Sequence, residues 1–156
     1  MTIRVAAIEV SHWHALYDAA YLRHLMAMPD VELVAIQDSD GGLVARRAAE
    51  LGSPPTYTDY RKMLTTTRPN FVVALGWHCQ MAQIAHELLD LGYPFLMEKP
   101  MGINASEVEA VAAKAARLDV FVAVPLAQRY TPFATRAREL LAAGRFGPAV
   151  AHLRPH

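Results

Sequence analysis

Glu98-Lys99-Pro100 sets a carboxylate beside an ammonium directly after a short apolar run, Tyr93-Pro-Phe-Leu-Met97. If that run is an interior strand, the pair sits at its carboxyl end, where ligands bind in an open α/β sheet. The Lys99 ammonium can hydrogen-bond a hydroxyl or carbonyl and stabilise negative charge as it develops. Partial burial would lower its pKa and let it transfer a proton. Glu98 is placed to orient Lys99 or to touch a cofactor, and Pro100 fixes the turn. A solvated ion pair in a surface turn would read the same from the tripeptide alone.

A second candidate lies after the first apolar strand, where Glu9-Val-Ser-His-Trp-His14 leads toward a helical pattern. In a dinucleotide-binding turn this place reads G-x-G-x-x-G, the glycines allowing the tight turn and close approach to pyrophosphate. Here the three glycine positions hold Glu9, Ser11 and His14. The Ser11 hydroxyl can donate to a phosphate, and His12 and His14 offer ring nitrogens. Glu9 opposes binding. A carboxylate ~4 Å from a phosphate costs about 1 kcal/mol in water and about 4 at an effective dielectric of 20. That is roughly tenfold to a thousandfold in affinity, so weak cofactor binding is expected unless Glu9 points away or is paired. Asp38 ends the next strand, where a carboxylate accepts from a ribose hydroxyl and disfavours a 2′-phosphate. NAD is therefore expected over NADP. Capping the following helix is the other role open to Asp38.

Three further groups carry chemistry. Gly76-Trp77-His78 follows the fourth apolar strand and so reaches the same edge; Trp77 and His78 can face a ligand, or cap and pack. Gln128-Arg129 follows the sixth strand, and Arg129 can hold a carboxylate or phosphate bidentately or tie two domains together. His12 and His14, with Glu9 nearby, have donor types that ligate zinc. No Cys or further His follows at supporting spacing, so no metal is expected. Cys79 has no hydrolase motif around it.

The elements that must position these residues alternate regularly. Strands are expected at Ile3–Ile8, Val31–Ile36, Thr56–Tyr57, Phe71–Leu75, Tyr93–Met97 and Val120–Val124. Helices are expected over 14–28, from about 41 to 51, 59–65, 80–91, 104–118 and from Thr131-Pro132 to Ala143-Gly144. Continuous apolar strands between helices of ten or more residues indicate a mostly parallel sheet covered on both faces. The expected fold is α/β, doubly wound and Rossmann-like. Gly147 to Arg154 reads as one further strand.

Order and spacing together resemble the Gfo/Idh/MocA oxidoreductases, named for glucose-fructose oxidoreductase and inositol dehydrogenase. The resemblance rests on Val31-Glu-Leu-Val-Ala-Ile-Gln-Asp38, Tyr57-Thr-Asp-Tyr60, Gly92 to Pro100, and Gln128-Arg129-Tyr-Thr-Pro132. It implies hydride transfer between nicotinamide and a sugar, polyol or similar alcohol or carbonyl, with Lys99 touching substrate near the nicotinamide. It also gives Asp38 the ribose role and places Gln128-Arg129 near a domain junction. The family's Thr-Pro-Asn with a later histidine is replaced by Gly76, Trp77, His78 and Met81. Ser-His-x-His loops occur in divergent relatives. Members continue into a second α/β domain. The expectation is thus a nucleotide domain over 1–144, the first strand of a missing or truncated C-terminal domain over 145–156, and poor turnover by the isolated chain. The alternative is a non-catalytic, decayed nucleotide domain used for binding or assembly.

Composition sets the outer limits. The 156 residues are 53% apolar and 19% charged, with zero net charge, which excludes disorder and gives no footprint for nucleic acid or an anionic membrane. One cysteine excludes an internal disulfide and fits a reducing compartment. No apolar run reaches the ~20 residues of a membrane span. A cytoplasmic protein with a small-molecule substrate is expected, with homo-oligomerisation left open.

Overall fold

The computed structural model describes residues 2–147. Six strands form one sheet: β1 (Ile3–Ile8), β2 (Val31–Gln37), β3 (Thr56–Tyr57), β4 (Phe71–Ala74), β5 (Phe95–Met97) and β6 (Val122–Ala123). Their order is β3-β2-β1-β4-β5-β6, and every pairing is parallel. The central strands are those read as wholly apolar, as strands covered on both faces must be. Val5 and Ala7 pack with Leu16, Leu22, Ile36, Val44, Val73 and Leu75. Ala6 and Ile8 enter a second cluster with Leu64, Val72, Met81, Leu88, Phe95 and Met97. Successive residues of β1 thus serve different clusters, as the period of two requires.

Helices α1 (Tyr21–Met26), α2 (Gly41–Glu50), α3 (Tyr60–Thr67), α4 (His78–Asp90), α5 (Ala105–Leu118) and α6 (Pro132–Ala142) connect or follow the strands. Their starts follow the capping chemistry in the sequence. Asp40 accepts from the Leu43 N–H, Asp59 from those of Arg61 and Lys62, and Asn104 from that of Glu107. Thr131 caps α6, with Pro132 in the first turn where its missing donor costs nothing. Gly92 takes a positive φ of 72° after α4, turning the chain into β5.

The expected helix over 14–28 is not continuous. A three-residue 3-10 turn, Trp13–Ala15, is followed by left-handed backbone at Asp18 (φ 53°) and Ala20 (φ 45°), and only then by α1. The cause lies in two side chains. His14 and Tyr21 both hydrogen-bond the Glu98 carboxylate, and their rings lie 6.0 Å apart. Seven residues of α-helix would separate them by about 10.5 Å. The chain must fold more tightly to bring both to one carboxylate.

The chain divides into two compact units, one ending at Pro125 and the other beginning at Leu126. The first holds the sheet and α1–α5. The second, where described, holds a 3-10 turn (Ala127–Tyr130) and α6, with no buried residue in either element. The strand expected from Gly147 to Arg154 falls, from 148 on, outside the described residues.

Phe95 is fully buried in the larger cluster. Phe95→Ala should lower unfolding free energy by about 3–5 kcal/mol, read as a shift of the urea midpoint.

Candidate functional site

The strand order reverses at β1. The chain runs outward through β2 and β3 on one side, then returns to β4 on the other. Loops leaving the carboxyl ends of β1 and β4 therefore diverge, and a crevice opens between them. The structure has a cleft of about 580 Å³ there, lined by Ser11, His12, Trp13, Leu75, Gly76, Trp77, His78, Cys79 and Ile103. Trp13 and Trp77 are 61% and 69% exposed, which is unusual for indoles in a domain with so apolar an interior.

The loop after β1 adopts the backbone a glycine would supply, but with Glu9 at a φ of 56°. Its carboxylate turns inward and is only 7% exposed. Gln37 Nε2 donates to Glu9 Oε1 (3.2 Å), and the Glu9 N–H donates to Gln37 Oε1 (3.3 Å). Burial raises the Glu9 pKa, the Gln37 amide counters it, and the neighbouring Asp38 charge adds to the rise; the net shift is upward. Glu9 therefore meets the condition under which its charge does not bar a phosphate: it is both paired and withdrawn. Gly76 lies beside it: a Cβ there would meet Glu9 Cγ at an ordinary 3.5 Å and Ile84 Cδ1 at a tighter 3.3 Å.

Asp38 is 2% exposed. Its Oδ2 accepts from the Ser11 N–H (2.6 Å) and its Oδ1 from the Asp40 N–H (3.0 Å). The carboxylate thus closes the loop onto β2, while the cap of α2 is Asp40. Ser11 lines the cleft, but its backbone donor is already used.

His12 caps the 3-10 turn and His14 lies within it. The His14 N–H donates to His12 Nδ1 (3.2 Å). Burial lowers the His12 pKa, outweighing the opposing pull of Glu98. His14 reaches across to β5: its Nδ1 lies 2.9 Å from Glu98 Oε2, and its Nε2 lies 3.2 Å from Asp18 Oδ2. Glu98 is 1% exposed, and its Oε1 accepts from the Lys99 N–H (2.8 Å). Burial alone would raise its pKa, but hydrogen bonds from His14, Tyr21 and the Lys99 N–H together hold it below the usual value. The same carboxylate and burial push the Tyr21 hydroxyl pKa strongly upward. Lys99 itself is exposed, next to the cis peptide bond that precedes Pro100.

The structure therefore brings Ser11, His12, Trp77 and His78 to one cleft and ties His14 to Glu98 at its side. Asp38 closes the loop from beneath. Arg129 lies in the second unit, in its 3-10 turn, and is exposed. Sequence reasoning missed Trp13, Ile103 and the Asp18–Tyr21 partners of the Glu98 site. An exposed tryptophan between two histidines was the available signal for Trp13. Asp18 stands four residues after His14, a spacing that was the available signal for that pair.

Residues 15–126 match the family described as an oxidoreductase family with an NAD-binding Rossmann fold. The chain belongs to the Gfo/Idh/MocA oxidoreductases. It is 29% identical over 125 residues to trans-1,2-dihydrobenzene-1,2-diol dehydrogenase of Mus musculus, an alignment covering 79% of this chain and 38% of that protein. It shares its fold with myo-inositol 2-dehydrogenase from Lactobacillus plantarum (TM-score 0.81, 22% identity, 94% of this chain and 43% of that one). Scyllo-inositol dehydrogenase from Lactobacillus casei, solved with NAD(H) and scyllo-inositol, superposes with a TM-score of 0.81 at 16% identity, covering 94% and 43% of the two chains. The chain thus spans about two fifths of the length of these relatives. Among the described residues no helix is long and apolar enough to cross a membrane.

The two buried glutamates give opposite pH dependences. The Glu98 pKa is lowered in the fold, so its contribution is present above the unfolded value near 4.5 and is lost as pH falls through the folded value. Glu98→Gln should therefore destabilise at pH 7, with the gap to wild type closing in acid. The Glu9 pKa is raised, so its ionisation opposes folding as pH climbs through the folded value. Glu9→Gln should stabilise at pH 7, and that gain should vanish below pH 4.5. Thermal melts of both variants across pH 3–8 measure the two slopes.

Proposed function

We propose that this chain is the nucleotide-binding part of an NAD-dependent dehydrogenase acting on a sugar, polyol or similar alcohol or carbonyl. The observation that carries this reading is the tryptophan-walled cleft at the switch point of the sheet. Diol and inositol dehydrogenases among the relatives support the substrate class.

The residues present fit a nicotinamide nucleotide, though not through the usual glycine loop. Trp13 and Trp77 offer flat apolar faces to a ring. The Ser11 hydroxyl and His12 are the polar groups nearest a pyrophosphate. The Ser11 amide is engaged by Asp38, so phosphate has fewer backbone donors than the fingerprint supplies. Binding is therefore weak, for want of free amides rather than because of the Glu9 charge. Asp38 favours NAD over NADP by its negative charge near the ribose.

Nicotinamide, when bound, supplies or accepts the hydride. Lys99 holds the substrate oxygen and polarises a carbonyl through its ammonium; the partial burial that proton transfer called for is not met at this exposed side chain. Glu98 is a positioning residue: through the Lys99 N–H it fixes the backbone from which that ammonium projects. His78 at the start of α4 faces the same cleft and contacts nicotinamide or substrate. Arg129 binds a substrate carboxylate or ties this domain to the next.

A second reading has one observation in its favour. With Asp38 and the Ser11 amide bonded to each other, the adenosine-side groups are self-satisfied, as in a domain that no longer takes a cofactor. Titration with NADH and NADPH, followed by energy transfer from Trp13 and Trp77, separates the two. Saturable NADH binding, tighter than NADPH and weakened roughly 5- to 100-fold by Trp77→Ala, is expected. Glu9→Gly should change that affinity by less than about tenfold, because the carboxylate is already withdrawn. No binding of either nucleotide up to millimolar levels would favour the second reading.

A further inference from the structure

His12, His14 and Glu98 each offer one ligand atom, and the three atoms lie within 4.8 Å of one another. They arrive from two sides of the cleft, the histidines from the loop after β1 and the glutamate from the end of β5. From sequence no metal was expected, and the carboxylate nearest the two histidines along the chain, Glu9, is bound to Gln37. A different carboxylate, 84 residues from His14, takes that place.

Two features are met by a cation there. Glu98 is 1% exposed, and a carboxylate so buried is held by donors or by a metal ion. His14 stands between two carboxylates, Glu98 at Nδ1 (2.9 Å) and Asp18 at Nε2 (3.2 Å). A neutral imidazole has one N–H and one lone pair, so it can donate to only one of them. A second proton on the ring satisfies both, and so does a metal ion on Nδ1. With the metal, the proton resides on Nε2 and is donated to Asp18, which is the usual outer partner of a metal-bound histidine.

The spacing is compatible. Zinc bonds of about 2.0–2.2 Å place tetrahedral donors about 3.4 Å apart. His14 and Glu98 would open slightly from 2.9 Å. His12 would close in, its ligand atom already lying within 4.8 Å of the other two. Two imidazoles and one carboxylate suit zinc or cobalt over magnesium or calcium. Three protein ligands leave a fourth position, and the cleft that His12 lines is the open side.

We propose that His12, His14 and Glu98 bind one divalent transition-metal ion of the zinc class, with Asp18 orienting His14. The proposal does not depend on the nucleotide reading, and its test uses no nucleotide.

The purified chain, stripped with a chelator, would be titrated with cobalt(II) while visible d–d absorption is recorded, then with zinc by calorimetry. The expected result is one saturable site per chain, with zinc displacing cobalt and raising the melting temperature. His12→Ala and Glu98→Gln should each weaken binding at least about a hundredfold. Asp18→Asn, at an exposed position, should weaken it about 10- to 100-fold and keep one site per chain. Cys79→Ser should leave the spectrum unchanged. Absence of binding up to millimolar cobalt or zinc overturns the proposal. So does binding that survives Asp18→Asn and His12→Ala undiminished, or that is lost with Cys79→Ser.

Discussion

Glu98 is almost wholly withdrawn from water, and an ionised carboxylate in that position must collect donors from whatever lies within reach. It takes the His14 ring, the Tyr21 hydroxyl and the Lys99 amide. Those three groups come from the loop after β1, from α1 and from the turn after β5. One buried charge therefore sets the path of the chain between residues 14 and 21, including the two left-handed residues that break the helix. It also ties the β5 turn to the loop that borders the cleft. The ligand edge of the sheet is organised around this group more than around any apolar contact.

A second organising pair is Glu9 with Gln37. The carboxylate that replaces a glycine in the first loop turns into the interior, where Gln37 Nε2 donates to it while Gln37 Oε1 accepts from the Glu9 backbone N–H. The two partners are 28 residues apart in sequence. A loop judged by its own residues looks broken. Judged with its neighbour on β2, it is a repacked loop with a closed set of hydrogen bonds.

Most of the architecture was legible in the sequence. Apolar runs at β1, β4 and β5 can only be interior strands, and Asp40, Asp59, Asn104 and Thr131 cap helices through chemistry that is local. Glu98, Ser11, His12, Trp77 and His78 could be placed at the carboxyl edge of the sheet because each follows a strand, and strand ends converge in a parallel sheet. What was not legible depends on partners distant in sequence. The helix expected over 14–28 fails because of a carboxylate 84 residues away from His14. The inward turn of Glu9 depends on Gln37, and the engagement of Ser11 on Asp38. Periodicity reports which face of an element is apolar; it carries no record of which buried charge will claim which donor.

The position of β1 has a consequence for how the domain comes into being. It is a central strand, bonded to β2 on one side and to β4 on the other. The first partner follows it closely along the chain, whereas Val5 must wait for Phe71. Parallel pairings of such separation form slowly, since a long loop must close before any contact rewards it. During synthesis, which delivers the amino-terminal half first, β1, β2 and β3 can assemble into a half-sheet whose inner edge is β1, a strand buried from Val5 to Ile8. Until β4 emerges that edge is open, and the nascent chain is most exposed to misassociation at the strand that later lies at its centre.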